Sequence, residues 1–211
     1  HAADMYINVL EQLGVTDVAN HGLHIETSKG WNDEVFRFYK SQGVMPRDKI
    51  IGFNIGSAVP EKRWPAERFA DVADYFGNKG YKTVFFGGPM DLDMVKPVVE
   101  QMKTSPIVAT GAFKLGPLAA AMKWCDLLIT NDSGPMHVAI SQGVPIVALY
   151  GPSNPFFYGP YQAKSIVLES MDHYEIGKSM KQVIKEGKYK GISVITEEQV
   201  IKAAEILLQE S

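Results

Sequence analysis

One cysteine, Cys125, stands in a chain of 211 residues, so no intrachain disulfide can form, and a reducing compartment suits the protein. Cys125 lies in the apolar run AAAMKWCDLLIT and reads as an inert core thiol. No segment approaches the roughly 18 apolar residues of a membrane span, and no charged start followed by an apolar run marks a secretion signal. Basic charge is short as well: 21 Lys and Arg against 24 Asp and Glu give a net charge of −3, with no general pull toward nucleic acid or an anionic membrane. Any anion site must therefore be local. Repeats, low-complexity tracts, a G-x-G-x-x-G fingerprint, a P-loop, zinc-ligand spacings and a G-x-S-x-G elbow are all missing. What remains, 45% hydrophobic and 21% charged, is the composition of an ordinary globular domain, for which a cytoplasmic place is expected.

Patterning along the chain is that of an α/β protein. HAADMYINVLEQLGV carries an apolar helix face, Met5, Val9, Leu10 and Leu13, ended by Gly14. Trp31 to Gln42 reads as a second amphipathic helix, and GVMPRD after it as a linker. From Lys49 onward strands and helices alternate. KIIGFNI, YKTVFFGG, PIVATG, DLLITND, PIVALYG and SIVLES read as strands. Helices are expected from Pro65 to GNKG, over Asp91–Met102, Pro117–Trp124 and Gly134–Gln142, and from the cap Thr196 to the end, with Val200, Ala204 and Leu207 facing inward. Strands alternating with helices at this spacing need crossover connections, hence a doubly wound parallel sheet. Met90, Met94 and Met102 read as core or gap filler, and the basic stretch from Lys178 to Gly191 as a solvated helix face.

In an open parallel sheet ligands bind outside the carboxyl ends of the strands, and the loops there are polar in this chain. Gly56, Ser57 and Lys62 follow the first strand; Gly87, Gly88 and Asp91 the second; Thr110 and Gly111 the third. Asn131, Asp132, Ser133, Gly134 and His137 follow the fourth, and Gly151, Ser153 and Asn154 the fifth. The start of a helix leaves backbone N–H groups unpaired and carries partial positive charge, so SGPMH reads as a phosphate site with Gly134 permitting close approach. Asp132 would repel the same phosphate. It is expected to accept hydrogen bonds from neutral hydroxyls, such as those of a sugar, or to fix a neighbouring loop. Asp and Ser also serve as plain helix caps, which is the competing reading of the stretch. His137, one turn inside the helix, points back toward its start, where packing or capping is the usual role. Lys62 beside Gly56 and Ser57 suits a diphosphate as a compact point charge, with Trp64 and Pro65 fixing its loop.

GFNIGSAVPEKRWPAERFADVADYFGNKGYKTVFFGGPMD and DLLITNDSGPMHVAISQGVPIVALYGPSNP resemble the C-terminal half of the glycosyltransferase family 9 heptosyltransferases. The resemblance covers about Lys49 to Tyr161 well and extends more loosely to both ends. It implies a Rossmann-like domain that is the C-terminal half of a GT-B fold and binds an ADP-sugar donor. A lipid-linked saccharide acceptor and the general base would belong to an N-terminal domain. By resemblance Ser57 and Lys62 approach the donor diphosphate, with Lys62 stabilising the leaving group. Asp132 reads the sugar, Ser133 and Gly134 offer phosphate donors, and His137 completes a D-[ST]-G-x-x-H pattern. The loop from Gly111 to Leu115, with Phe113, holds the nucleoside. The family's D-T-G is Asp132, Ser133, Gly134 here, which keeps the hydroxyl.

The domain organisation that follows is the end of an absent N-terminal domain plus linker over residues 1–45, a nucleotide-sugar domain over 46–195, and a C-terminal helix over 196–211. The chain is then the donor half of a longer protein, expected to transfer nothing alone. No cofactor or metal is expected, no nucleic acid partner, and a peripheral place on the inner face of the cytoplasmic membrane accords with a lipid-linked acceptor. Two alternatives stay open: a transferase or epimerase using a UDP- or GDP-sugar, and a nucleotide-binding module without chemistry.

Overall fold

The computed structural model describes residues 1–15, 19–170, 179–187, 189 and 191–210. Strands β1 (Ile50–Asn54), β2 (Lys82–Phe86), β3 (Ile107–Val108), β4 (Leu127–Asn131), β5 (Ile146–Tyr150) and β6 (Ser165–Glu169) form a sheet in the order β3-β2-β1-β4-β5-β6. Every pairing is parallel. β1, β4 and β5 are buried at every position, which is why they read IIGFN, LLITN and IVALY instead of alternating apolar with polar. The polar residues Asn54, Thr130 and Asn131 enter only at carboxyl ends. β1 and β4 are neighbours although β2 and β3 lie between them in the chain, so the winding reverses there and opens a crevice beyond their ends.

The helices are α1 (Ala2–Gln12), α2 (Lys29–Ser41), α3 (Ala66–Asn78), α4 (Leu92–Gln101), α5 (Leu115–Met122), α6 (Gly134–Ile140), α7 (Pro155–Tyr158), α8 (Met180–Lys185) and α9 (Glu197–Gln209). Successive strand residues point to opposite faces, and each face has its own helical layer. α2, α5 and α6 bring Val35, Tyr39, Met122 and Met136 against Ile50, Leu128 and Ala148. α3, α4 and α9 bring Phe69, Phe76, Val95 and Leu207 against Phe53, Ile129 and Leu149. The expected doubly wound architecture is therefore present. At Gly52 an added Cβ would stand 2.9 Å from both Leu128 and Phe86 side chains, so the strand between the layers has room only for hydrogen there.

Several boundaries shift by a residue or more. Pro65 is the residue before α3, not its first, and a 3-10 turn over Pro89–Asp91 precedes α4. α5 begins at Leu115, ahead of the expected Pro117. Residues 29–45 contribute Val35, Tyr39 and Val44 to one core layer, and α9 contributes Val200, Ala203, Ala204 and Leu207 to the other. Packing thus joins both flanks to the sheet across the boundaries expected at 45/46 and 195/196. Thr196 and Gln199 form the capping box that starts α9. Cys125 is buried, and burial, aided by Asp126, pushes its thiol far above the usual range, as an inert thiol requires.

α1 behaves differently. Its residues Met5, Val9 and Leu10 and the Leu13 that follows it are all exposed, and the helix buries no side chain. Met90 is also a correction: it is 92% exposed, whereas Met94 and Met102 pack on the core as expected. Of the basic stretch after Ser170, Lys178, Lys188 and Lys190 lie outside the described residues, while Lys181 and Lys185 of α8 face solvent.

Candidate functional site

Lys62 ends a 3-10 turn, Pro60–Lys62, that follows β1. Three bonds stitch this loop to the strand ends: Arg63 Nε donates to Ser57 O (2.8 Å), Trp64 N to Asn131 Oδ1 (3.0 Å), and Asn131 Nδ2 to Ile55 O (2.8 Å). Trp64 is buried, its indole N–H donating to Ile195 O (2.9 Å) and its ring edge-on to Phe69. These anchors hold the backbone from which Lys62 extends.

Lys62 Nζ forms an ion pair with Asp132 Oδ2, and Ser153 Oγ donates to the same oxygen (2.5 Å). Both side chains are largely withdrawn from water, 19% and 7% exposed, where opposite charges attract more strongly than at the surface. Among the described residues no hydrogen bond falls on Asp132 Oδ1. Asp132 therefore joins the loops after β1 and β5 and still has an acceptor oxygen to offer. Ser57 completes the group: its hydroxyl lies 3.5 Å from Asp132 O and accepts from Val59 N.

Ser133 stands at the N-cap position of α6 yet makes no capping bond. Its Oγ instead accepts from Asn54 Nδ2 (2.8 Å) and donates to Asn131 O at a longer 3.3 Å. The plain cap is thus not what its side chain does. Gly134 is exposed, and an added Cβ would meet nothing within 4 Å, so no contact inside this chain demands a glycine there. His137 is partly buried one turn further on. Burial pushes its imidazole below the usual 6.5, and the charge of Asp132 works against that shift.

The glycines of the other loops crowd around Asp91. An added Cβ at Gly56 would fall 2.5 Å from Asp91 Oδ1, and one at Gly87 would fall 2.9 Å from Oδ2, which also accepts from Gly88 N (2.8 Å). Gly111, with φ +75°, adopts the left-handed backbone that favours glycine and donates to Gly87 O (2.9 Å), joining the loops after β2 and β3. Phe113 turns its ring edge-on to Phe38 of α2, 4.9 Å between centroids, and packs on the core. Ser57, Lys62, Asp132, Ser133, Gly134 and His137 thus gather at β1 and β4, while Gly111 and Phe113 lie two strands away at the same end of the sheet.

Asn54 and Thr130 are the participants that loop reading misses, since both belong to strands. The signal for Asn54 was present: a lone amide at the end of a β-branched run, where Asn is disfavoured. Two shallow clefts around Lys79 and Tyr81 lie at the opposite end of the sheet, where Lys79 pairs with Glu205 and Lys49 with Asp126. Among the described residues no group of three His, Cys, Asp or Glu side chains could hold a metal ion, and no helix is long and apolar enough to cross a membrane.

A family model described as glycosyltransferase family 9 (heptosyltransferase) matches residues 1–190. The lipopolysaccharide heptosyltransferase 2 of Escherichia coli is 33% identical over 164 residues, 75% of this chain and 47% of that protein. A crystal structure of a family 9 glycosyl transferase from Veillonella parvula superposes with a TM-score of 0.95 at 77% identity, covering 100% of this chain and 60% of that one. The structure of E. coli ADP-heptose lps heptosyltransferase II gives a TM-score of 0.72 at 28% identity, covering 89% and 54% respectively. The chain spans about half the length of the curated relatives it matches.

Proposed function

The chain belongs to glycosyltransferase family 9, and from that premise we propose that it is the donor-binding half of an inverting heptosyltransferase acting on a lipopolysaccharide core. The donor is an ADP-activated heptose, the class of substrate in the name of the E. coli relative. The observation that carries the reading is the Lys62–Asp132 pair at the reversal of the winding, beside an uncapped helix start and the open Gly134.

In this reading Lys62 and Ser133 meet the diphosphate, Gly134 lets it approach the backbone, and Asp132 Oδ1 accepts a hydroxyl of the sugar. The acceptor oxygen forms its bond to the anomeric carbon as the bond to the diphosphate breaks. The electron pair leaves with ADP, whose growing charge Lys62 stabilises. The acceptor proton goes to a general base on a separate N-terminal domain, which also holds the lipid-linked saccharide. No resident metal, cofactor or nucleic acid enters the scheme. The reaction is assigned to the cytoplasm, with contact at the inner face of the membrane through the acceptor.

Calorimetric titration with ADP, UDP and GDP tests the reading. ADP should bind most tightly, and Lys62→Ala should weaken it by about tenfold or more, the worth of one charge-assisted contact. Preference for UDP or GDP would favour another transferase or an epimerase; absence of nucleotide binding would overturn the proposal.

A further inference from the structure

Asn54 is the last residue of β1, 1% exposed, in register with Thr130 of β4. Its amide nitrogen donates across the crevice to Ser133 Oγ (2.8 Å) and Thr130 Oγ1 (3.1 Å), and lies 3.3 Å from Gly56 O. The carbonyl of Gly56 can only accept, so the amide cannot be turned over without setting oxygen against oxygen. In that orientation Asn54 Oδ1 is buried without a hydrogen-bond partner among the described residues. A buried acceptor left unpaired costs stability, and nothing in the packing of β1 calls for an amide where its neighbours are Ile and Phe. The amide earns no place by packing, so the use of its nitrogen must explain it.

That use is visible in the two hydroxyls it holds. Thr130 Oγ1 donates to Asn131 O at 2.7 Å, and Ser133 Oγ donates to the same carbonyl at 3.3 Å. Thr130 therefore has the tight bond and Ser133 the loose one. Asn54 pins a lone pair of Ser133 while the hydrogen of Ser133 is only weakly committed. We propose that Asn54 is a positioning residue for the donor site: its N–H fixes Ser133 Oγ as an acceptor, so that the Ser133 hydroxyl presents its hydrogen to a phosphate oxygen of the nucleotide. The inference rests on the nucleotide-binding reading of the crevice. It adds a residue that touches no ligand and acts through another.

A double-mutant cycle tests it on this chain with ADP as the probe. Ser133→Ala should lower ADP affinity about tenfold, one hydrogen bond to a charged group. Asn54→Ala should lower it by a similar factor alone and by little further when Ser133 is already Ala. Asn54→Leu, closer in volume, should behave as Asn54→Ala does, and both variants should keep the parent circular dichroism. Multiplicative effects of the two substitutions, or Asn54 variants that change the melting temperature and leave ADP affinity intact, overturn the inference alone. No binding of ADP by the parent chain overturns the nucleotide reading and this inference with it.

Discussion

Lys62 and Asp132 close an ion pair across the crevice between the ends of β1 and β4, with Ser153 donating to the same carboxylate oxygen. The pair has a structural and a ligand-binding aspect, and the two can be separated. Removing Lys62 alone leaves a buried carboxylate with Ser153 as its remaining donor, and loss of one partner of such a pair costs about 3 kcal/mol. Removing Asp132 alone costs less, because the long lysine stem can carry its charge to water. The double substitution Lys62→Met with Asp132→Asn should restore most of the stability lost by Lys62→Met, since no charge is left unpaired. ADP binding should not return with it. A double variant that is stable and binds ADP as the parent does would reduce the pair to a structural clasp.

Gly134 gives a prediction of opposite signs. It is the first residue of α6, and a methyl group added there meets no atom within 4 Å. Gly134→Ala should therefore stabilise the free chain by about 0.5 kcal/mol, by helix propensity and a less flexible unfolded state. The same methyl group stands where a phosphate must approach the backbone, so ADP affinity should fall. Thermal unfolding and titration of one sample read both. A rise in stability with unchanged ADP affinity would move the phosphate away from α6.

Legibility followed the range of the forces. The alternation of strand and helix could be read because β1, β4 and β5 are buried on both faces and must be continuously apolar, a property local to five residues each. Polar loop residues such as Ser57, Lys62 and Asp132 could be read as candidates because in open parallel sheets ligands bind beyond the strand ends. The Lys62–Asp132 pair could not, since it depends on β1 and β4 becoming neighbours across two intervening strands. Asn54 stands out as a lone amide at the end of an apolar run, but its partners Thr130 and Ser133 do not, for the same reason: they are set by register. The family resemblance gives Phe113 a nucleoside expectation, and its ring lies edge-on to Phe38 of α2, a contact without a trace in local spacing.

Gly56 and Asp91 are coupled by space. A Cβ at Gly56 would fall 2.5 to 2.8 Å from the Asp91 carboxylate atoms, and that carboxylate accepts from Gly88 N. Gly56→Ala should force Asp91 aside and break that bond, costing about 1 kcal/mol. In an Asp91→Ala background the bond is already gone and the space is open, so the added cost of Gly56→Ala should vanish. Chemical denaturation of the four variants measures this. Equal costs in both backgrounds would place the crowding elsewhere.

His137 supplies a pH dependence whose sign follows from burial. Its folded pKa is pushed below 6.5, so the folded chain binds this proton more weakly than the unfolded chain. The stability contribution of the neutral imidazole is then fully present above about pH 6.5 and is lost as pH falls from there toward the folded pKa. His137→Gln should flatten the stability curve in that acidic window and leave it unchanged above. Magnetic resonance titration of the ring gives the midpoint directly, and a value at or above 6.5 would refute the burial argument. Asp132 opposes the shift, so Asp132→Asn should carry the midpoint lower still. A bound diphosphate beside Gly134 adds negative charge near the ring and should raise the midpoint. ADP would then bind more tightly as the solution becomes acidic through the His137 window, because binding draws a proton onto the ring. A midpoint that ADP leaves unmoved would mean that the phosphates lie away from α6, whatever the affinity.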